Sequence, residues 1–336
     1  MFRQMISSVA VRTVAAAAFA TTFVATPLSA ETLSLAHFVA PGHVVTGSVV
    51  EPLAEGVSAD TDGELTIDVY PGGELGAGPM EQYVRALQGV ADITWGLQGY
   101  TSSQFPKTMI VEMPGAIPDG MTGYEMLWNA YDAHLTDEFP GTKPLALWAS
   151  EPNIIIMKNH EVRTPEDLAG LKIRVSGSIA SSVVEALGAT PVQMPAGEIY
   201  NALQTGLIDG LITGASAVAD FKLDEVANSY TVGAPLGHIS FYLVMNQERY
   251  DGLSDEFKAA VDNHSGLKLS QSGEESWNER ADETLESIRA SDDNTVIDLT
   301  PEEAEAFAEL TLPVTDELVA EMGAEDVLAT MRGEGD

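Results

Sequence analysis

Polar and apolar positions alternate over residues 32–40, where Leu33, Leu35 and His37 share a side, and again over 64–70, where Leu65, Ile67 and Val69 do. A period of two marks strands, and the stretch between them, 43–58, reads as a helix, so the chain opens β-α-β. Met80, Tyr83, Val84 and Leu87 then recur at helical spacing before a strand at 90–94. The second half repeats the plan. Thr164-Pro165-Glu166-Asp167 supplies an N-cap with proline at the first helical position, and Gly170 ends that short helix. A strand at 171–175, a helix at 180–187 stopped by Gly188, and a strand at 191–194 follow. Another strand is expected at 241–245, then one long helix or two joined ones over 254–290, and Thr300-Pro301-Glu302-Glu303 is a capping box for the last helix. Strand and helix alternate throughout, which predicts an α/β architecture with largely parallel sheets. Residues 86–92 (Ala-Leu-Gln-Gly-Val-Ala-Asp) also resemble 202–209 with one insertion, each copy a helix end turning into a strand, as two pseudo-symmetric halves require.

The N-terminus departs from this pattern. Arg3 and Arg12 are the only charges before Glu31, and residues 14–25 are apolar or small, which reads as a secretory signal peptide cut after Ala30 and a periplasmic destination. The apolar run is short of the roughly 20 residues a membrane span needs. Without residues 1–30 the chain has 306 residues, more than the roughly 250–300 that one core usually serves, so two domains are expected.

Composition narrows the function. With 16 Lys and Arg against 51 Asp and Glu, the net charge is −35, or −37 without the leader, and a nucleic-acid partner is excluded. There is no cysteine, which removes thiol catalysis, disulfides and cysteine-type zinc sites. The six histidines are scattered without metal-ligand spacing, and Asp60-Thr61-Asp62-Gly63 reads as a turn, not a calcium loop. Gly214-Ala215-Ser216-Ala217-Val218 lacks the final glycine of a nucleophile elbow. No enzyme chemistry, cofactor or metal is expected.

Arg174 stands out because it lies in a strand between Ile173 and Val175. A guanidinium there must meet an anion, either a protein carboxylate in an internal salt bridge or a ligand. The strand runs through Ser176-Gly177-Ser178 into a helix, and the carboxyl ends of strands in open α/β sheets are where ligands bind. Trp95 and Tyr100 follow the matching strand of the first half, and Phe38, Trp148, Phe241 and Tyr242 are similar candidates; for each, core packing is the alternative.

The motifs Tyr70-Pro71-Gly72-Gly73-Glu74-Leu75-Gly76, Gln88-Gly89-Val90-Ala91-Asp92, the run 164–175, Leu187-Gly188-Ala189-Thr190-Pro191-Val192 and the run 198–210 occur in an order that resembles the DctP-like periplasmic solute-binding proteins of TRAP (tripartite ATP-independent periplasmic) transporters. The resemblance covers nearly all of the chain after the leader. It implies a two-domain periplasmic binding protein fold with crossing strands and a long domain-spanning helix: domain I at 31–150 plus 239–279, domain II at 151–238 plus 280–330. It also implies a monomer that closes on a solute and delivers it to membrane permease subunits, with Arg174 clamping a carboxylate. Sugar-acid members carry a second arginine near Ile154 and charged residues where Leu97 and Tyr100 stand here. They have asparagine where Thr213 is found, while His238 matches theirs. The pocket is therefore expected to be less polar, taking a small monocarboxylate with an apolar or aromatic body against Trp95 and Phe241. Glu151 keeps open a zwitterion or amino-alcohol, and an ATP-driven importer is the alternative partner.

Overall fold

The computed structural model describes residues 30–334, so the expected leader lies outside the described residues apart from Ala30. Its strands are β1 (Glu31–Ala36), β2 (Leu65–Tyr70), β3 (Ile93–Leu97), β4 (Thr142–Ala149), β5 (Asn153–Met157), β6 (Lys172–Val175), β7 (Thr190–Gln193), β8 (Gly210–Gly214), β9 (Ser229–Val232), β10 (Ser240–Asn246) and β11 (Thr295–Asp298). They form two sheets, in the orders β2-β1-β3-β10-β4 and β11-β9-β5-β8-β6-β7. Each sheet is the floor of one lobe.

The sheets are mixed, which corrects the expectation of largely parallel ones. β10 runs antiparallel to β3 and β4, and β5 antiparallel to β8 and β9, while the other pairings are parallel. The reason is topological. β5 and β10 are the strands by which the chain enters one lobe from the other, and a strand arriving from the cleft runs against those that end there. The two crossings are bonded to each other: Ser150 N donates to Ile239 O at 2.7 Å and Asn153 N to Gly237 O at 2.9 Å. A third connection is the 23-residue helix Leu267–Arg289. Its first part packs Leu269 and Trp277 into the core of the first sheet, and its second packs Ala281 and Ile288 into that of the second. Glu274, midway, accepts from Gly123 N, Tyr124 N and Ala149 N at 2.7–3.2 Å. It thereby satisfies amides at the start of helix Gly123–Ala130 that would otherwise be orphaned.

Local chemistry shifts several expected elements. The helix expected over 43–58 is present over 44–60, widened into a π-helical turn at Thr46–Val50 before the regular helix Glu51–Asp60. Pro52 has no N–H to donate to the carbonyl of Ser48, which accepts from Ser272 Oγ at 2.8 Å instead. The stretch 254–290 is two helices, Asp255–Asn263 and Leu267–Arg289, separated at Gly266, whose φ is +73°. The helix Gln82–Leu87 ends in a left-handed Gly89, with Val90 N bonding back to Arg85 O, so the next strand starts at Ile93 rather than at 90. That helix buries Tyr83 and Ala86 and leaves Met80, Val84 and Leu87 exposed, so only part of the expected apolar face is core. The helix Pro301–Met322 serves both lobes: Phe307 and Val314 pack with the second sheet, whereas Val319 packs with the first, as do Val327 and Met331 of the short last helix, Glu325–Met331.

Glu112 sits beside the second crossing, its Oε1 accepting from Ser240 N at 3.0 Å and from Ser240 Oγ. Burial pushes its carboxyl up to about 7, against the Ser240 bonds, which favour ionisation. A carboxyl whose folded-state value is raised contributes stability that is fully present below about 4.5 and is lost as the pH rises through about 7. Glu112 therefore contributes a fall in stability between pH 5 and 8, set against the rise that the buried His37 and His43, with lowered pKa values, contribute up to about pH 6.5. In Glu112→Gln that fall should be shallower by roughly 3 kcal/mol in stability across the window. Thermal melts at constant ionic strength check this, and a parallel pH profile in the variant would remove Glu112 as the cause.

Candidate functional site

β6 carries Arg174 inward because alternate residues of a strand face opposite sides, and the strand is covered on both: Ile173, Arg174 and Val175 are all buried. Arg174 is 2% exposed. Its Nε and Nη2 both donate to the Met194 carbonyl, at 3.0 and 2.9 Å, and Nη2 lies 3.5 Å from Tyr100 Oη. Among the described residues no carboxylate lies within 4.0 Å of it, so the internal salt bridge that was the alternative reading is not formed. Burial pulls its pKa down, with Tyr100 acting in the opposite direction. A guanidinium stays charged regardless, so a cation is held in low dielectric on one carbonyl and one phenol oxygen.

The guanidinium borders a cavity between the lobes of about 50 Å³. Phe38, Trp95, Tyr100, Thr213 and Phe241, all singled out in the sequence, line it with Arg174. The first lobe supplies a continuous run of rings. Phe38 stacks on Trp95 at 5.0 Å with 16° between planes and meets Tyr100 at 6.1 Å, and Trp95 stacks on Phe241 at 5.7 Å. Trp95 and Phe241 are also core, 1% and 5% exposed, so packing and lining are two faces of the same side chains. The indole Nε1 of Trp95 is buried without a hydrogen-bond partner among the described residues.

Glu151, His238, Trp148 and Tyr242 do not line the cavity, the two aromatics being buried core. Glu151 Oε1 accepts from Ser216 N at 2.7 Å behind the end of β8, where a side chain at Gly214 would collide with it, and burial pushes its carboxyl up to about 7. His238 Nδ1 meets Ser150 O at 2.9 Å, which ties it to the crossings. Ser216 Oγ has no basic side chain bonded to it among the described residues, in keeping with the incomplete elbow motif.

Sequence reasoning did not find His43, Asp220, Phe221 or Trp277, which also border the cavity. Asp220 and Phe221 end the short helix Ser216–Asp220 that follows β8. The usable signal was an acid and an aromatic directly after a strand matched to the recognised motif. Trp277 lies within the stretch 254–290 expected to be helical, where nothing in the sequence sets it apart.

The lobes are closed over this space. Tyr100 Oη, from the first, accepts from Ala196 N of the second at 2.9 Å, and Ser178 N donates to Ser102 Oγ at 3.3 Å. Gly99 and Gly177 meet back to back: a Cβ on Gly177 would lie 2.7 Å from Gly99 Cα.

Known proteins resemble the chain over most of its length. The family model described as DctP, bacterial extracellular solute-binding protein, family 7, matches residues 35–322. A C4-dicarboxylate-binding periplasmic protein, DctP, of Rhodobacter capsulatus is 26% identical over 88% of this chain and 89% of its own. A TRAP solute-binding protein from Rhodoferax ferrireducens T118, solved with copurified benzoate, is 28% identical with a TM-score of 0.83, covering 90% of this chain and 97% of its own. One from an unidentified marine microbe, specific for aromatic acids and solved with 3-hydroxybenzoate, is 25% identical with a TM-score of 0.84, covering 91% and 98%. The closed two-lobed fold and a family match spanning 35–322 lead to one conclusion: the chain belongs to the DctP family, the solute-binding proteins of TRAP transporters.

Proposed function

We propose that this protein captures a small aromatic monocarboxylate, with Arg174 binding the carboxylate and Phe38, Trp95, Tyr100 and Phe241 enclosing the ring. On this reading the mature chain is exported, acts as a monomer of two lobes split near residues 150 and 239, hands its solute to membrane permease subunits and carries out no reaction. The observation that carries the proposal is the buried Arg174, which has no carboxylate partner and borders a cavity walled by aromatic rings. Charge-assisted bonds are roughly twice as strong as neutral ones, and the guanidinium fork suits a carboxylate. Two related proteins of this fold hold benzoate and 3-hydroxybenzoate, which supports the same class. Thr213 borders the same space as a small polar neighbour of Arg174. The zwitterion reading loses support because Glu151 is engaged with Ser216 behind the wall, and His238 serves the crossings. Family membership favours a TRAP permease over an ATP-driven importer.

A net charge of −37 for the mature chain does not oppose anion capture. Diffuse surface charge is screened beyond about 8 Å at physiological salt, whereas the guanidinium acts at contact in a closed cleft. Among the described residues no helix is long and apolar enough to cross a membrane.

Arg174→Ala is expected to weaken benzoate binding about 100-fold or more, with Arg174→Lys intermediate. Titration calorimetry reads this directly, and equal affinities in wild type and a folded Arg174→Ala would remove the clamp. Gly177→Ala is expected to weaken binding about tenfold while the melting temperature of the unliganded protein changes little, because the added methyl obstructs closure and not either lobe's core. Small-angle scattering with and without benzoate would show the compaction lost; undiminished affinity and compaction would mean that the two glycines do not meet in the bound form.

A further inference from the structure

The cavity has a second polar end, reached from Arg174 along the run of rings. From Tyr100 the rings pass through Phe38 and Trp95 to His43, each step 5.0–6.1 Å, and His43 also meets Phe221 and Trp277 at 5.7 Å. Beside His43 stands Asp220, which borders the cavity, with a side chain only 1% exposed.

Asp220 is buried yet loosely held. Its partners are Arg280 Nη2 at 3.3 Å, Val44 N at 3.4 Å and His43 Nε2 at 3.5 Å. All three lie beyond the usual 2.7–3.2 Å of a protein hydrogen bond, although charge-assisted bonds are normally the short ones. A desolvated carboxylate offers about four acceptor positions, and here none is closely filled, so a donor from the cavity would gain a strong bond.

The charge at this end selects the kind of donor. Arg280 balances Asp220. His43 is neutral, its pKa lowered to about 3 by burial, with the positive Arg280 adding to the effect. Its Nδ1 accepts from Val45 N at 3.2 Å, so Nε2 carries the proton and faces Asp220. An ammonium placed here would meet the Arg280 guanidinium, whereas an uncharged hydroxyl would not. A phenol O–H projecting from a ring is such a donor.

Resting on the aromatic-acid reading of the same site, we propose that Asp220 determines specificity by accepting a hydrogen bond from a hydroxyl on the solute's ring. The solute is thereby a hydroxylated aromatic acid. Arg174 takes the carboxylate, the stacked rings take the arene, and Asp220 takes the hydroxyl.

Calorimetry of wild type, Asp220→Ala and Asp220→Asn with benzoate, 3-hydroxybenzoate, 4-hydroxybenzoate and 3-(aminomethyl)benzoate tests this. Wild type is expected to bind at least one hydroxybenzoate about tenfold or more tighter than benzoate. In Asp220→Ala that advantage should shrink to within about threefold, and Asp220→Asn, which keeps a neutral acceptor, should fall between. The ratio is the readout, because Asp220 also touches both lobes and its loss can weaken every ligand alike; benzoate binding reports that each variant is folded. Equal wild-type affinity for benzoate and both hydroxybenzoates overturns the proposal while leaving the aromatic-acid reading intact. So does an advantage that survives Asp220→Ala, or an equal loss for all ligands. Tighter binding of the aminomethyl compound than of either hydroxybenzoate overturns the uncharged donor. A wild type that binds none of the four overturns the aromatic-acid reading itself, and this proposal with it.

Discussion

A guanidinium held out of water without a carboxylate is the constraint around which the cleft is organised. Five of the seven described arginines, at positions 85, 163, 249, 280 and 289, meet a carboxylate, and Arg332 reaches two main-chain carbonyls from a half-exposed position. Arg174 alone is both fully buried and without an acid. In a chain so rich in Asp and Glu, leaving this buried guanidinium without an acid is not a shortage of partners. The fold keeps acids away from it, and desolvating a charge without a counterion costs several kcal/mol. Because Tyr100 and Ala196 shut the cleft beside it, part of that cost arises from closure. Under the proposed function an anion offsets the cost only when the lobes come together, so recognition and closure are one event.

The topology permits that event without loosening either core. The two crossings pair with each other through main-chain bonds, so a rotation about them bends few contacts. The antiparallel entry of β5 and β10 places them inside the sheets, where each is bonded on both sides. The spanning helix is fastened to the first lobe by Glu274 and buries apolar residues in both. Motion is thereby confined to short connections between rigid sheets, which is the usual anatomy of a hinge.

Much of this was readable along the chain. The strand period, the capping motifs at Thr164 and Thr300 and the glycine stops fixed elements because each is a local property of a few residues. The antiparallel strands were not readable, since strand direction depends on which lobe the chain has just left. Pro52 marks where the helix widens, but the carbonyl it frees finds its partner 224 positions later. In the site, Arg174 and the aromatic residues showed because a charge or a large ring at a strand end is unusual. Asp220 and His43 did not, because an acid among 51 and a histidine among six look ordinary until burial distinguishes them.

Burial also separates the two acids that flank the end of β8. Glu151 and Asp220 are both desolvated and both have raised pKa values. Glu151 has Ser216 N at 2.7 Å, a short bond that settles one oxygen, and it stands outside the cavity wall. Asp220 stands within that wall, charge-balanced by Arg280, with partners at 3.3–3.5 Å. The other oxygen of Glu151, Oε2, is buried without a hydrogen-bond partner among the described residues, so what separates the two acids is where they stand and not whether they are satisfied. Under the proposal above, a place in the cavity wall, and not identity or acidity, is what fits Asp220 to meet a guest.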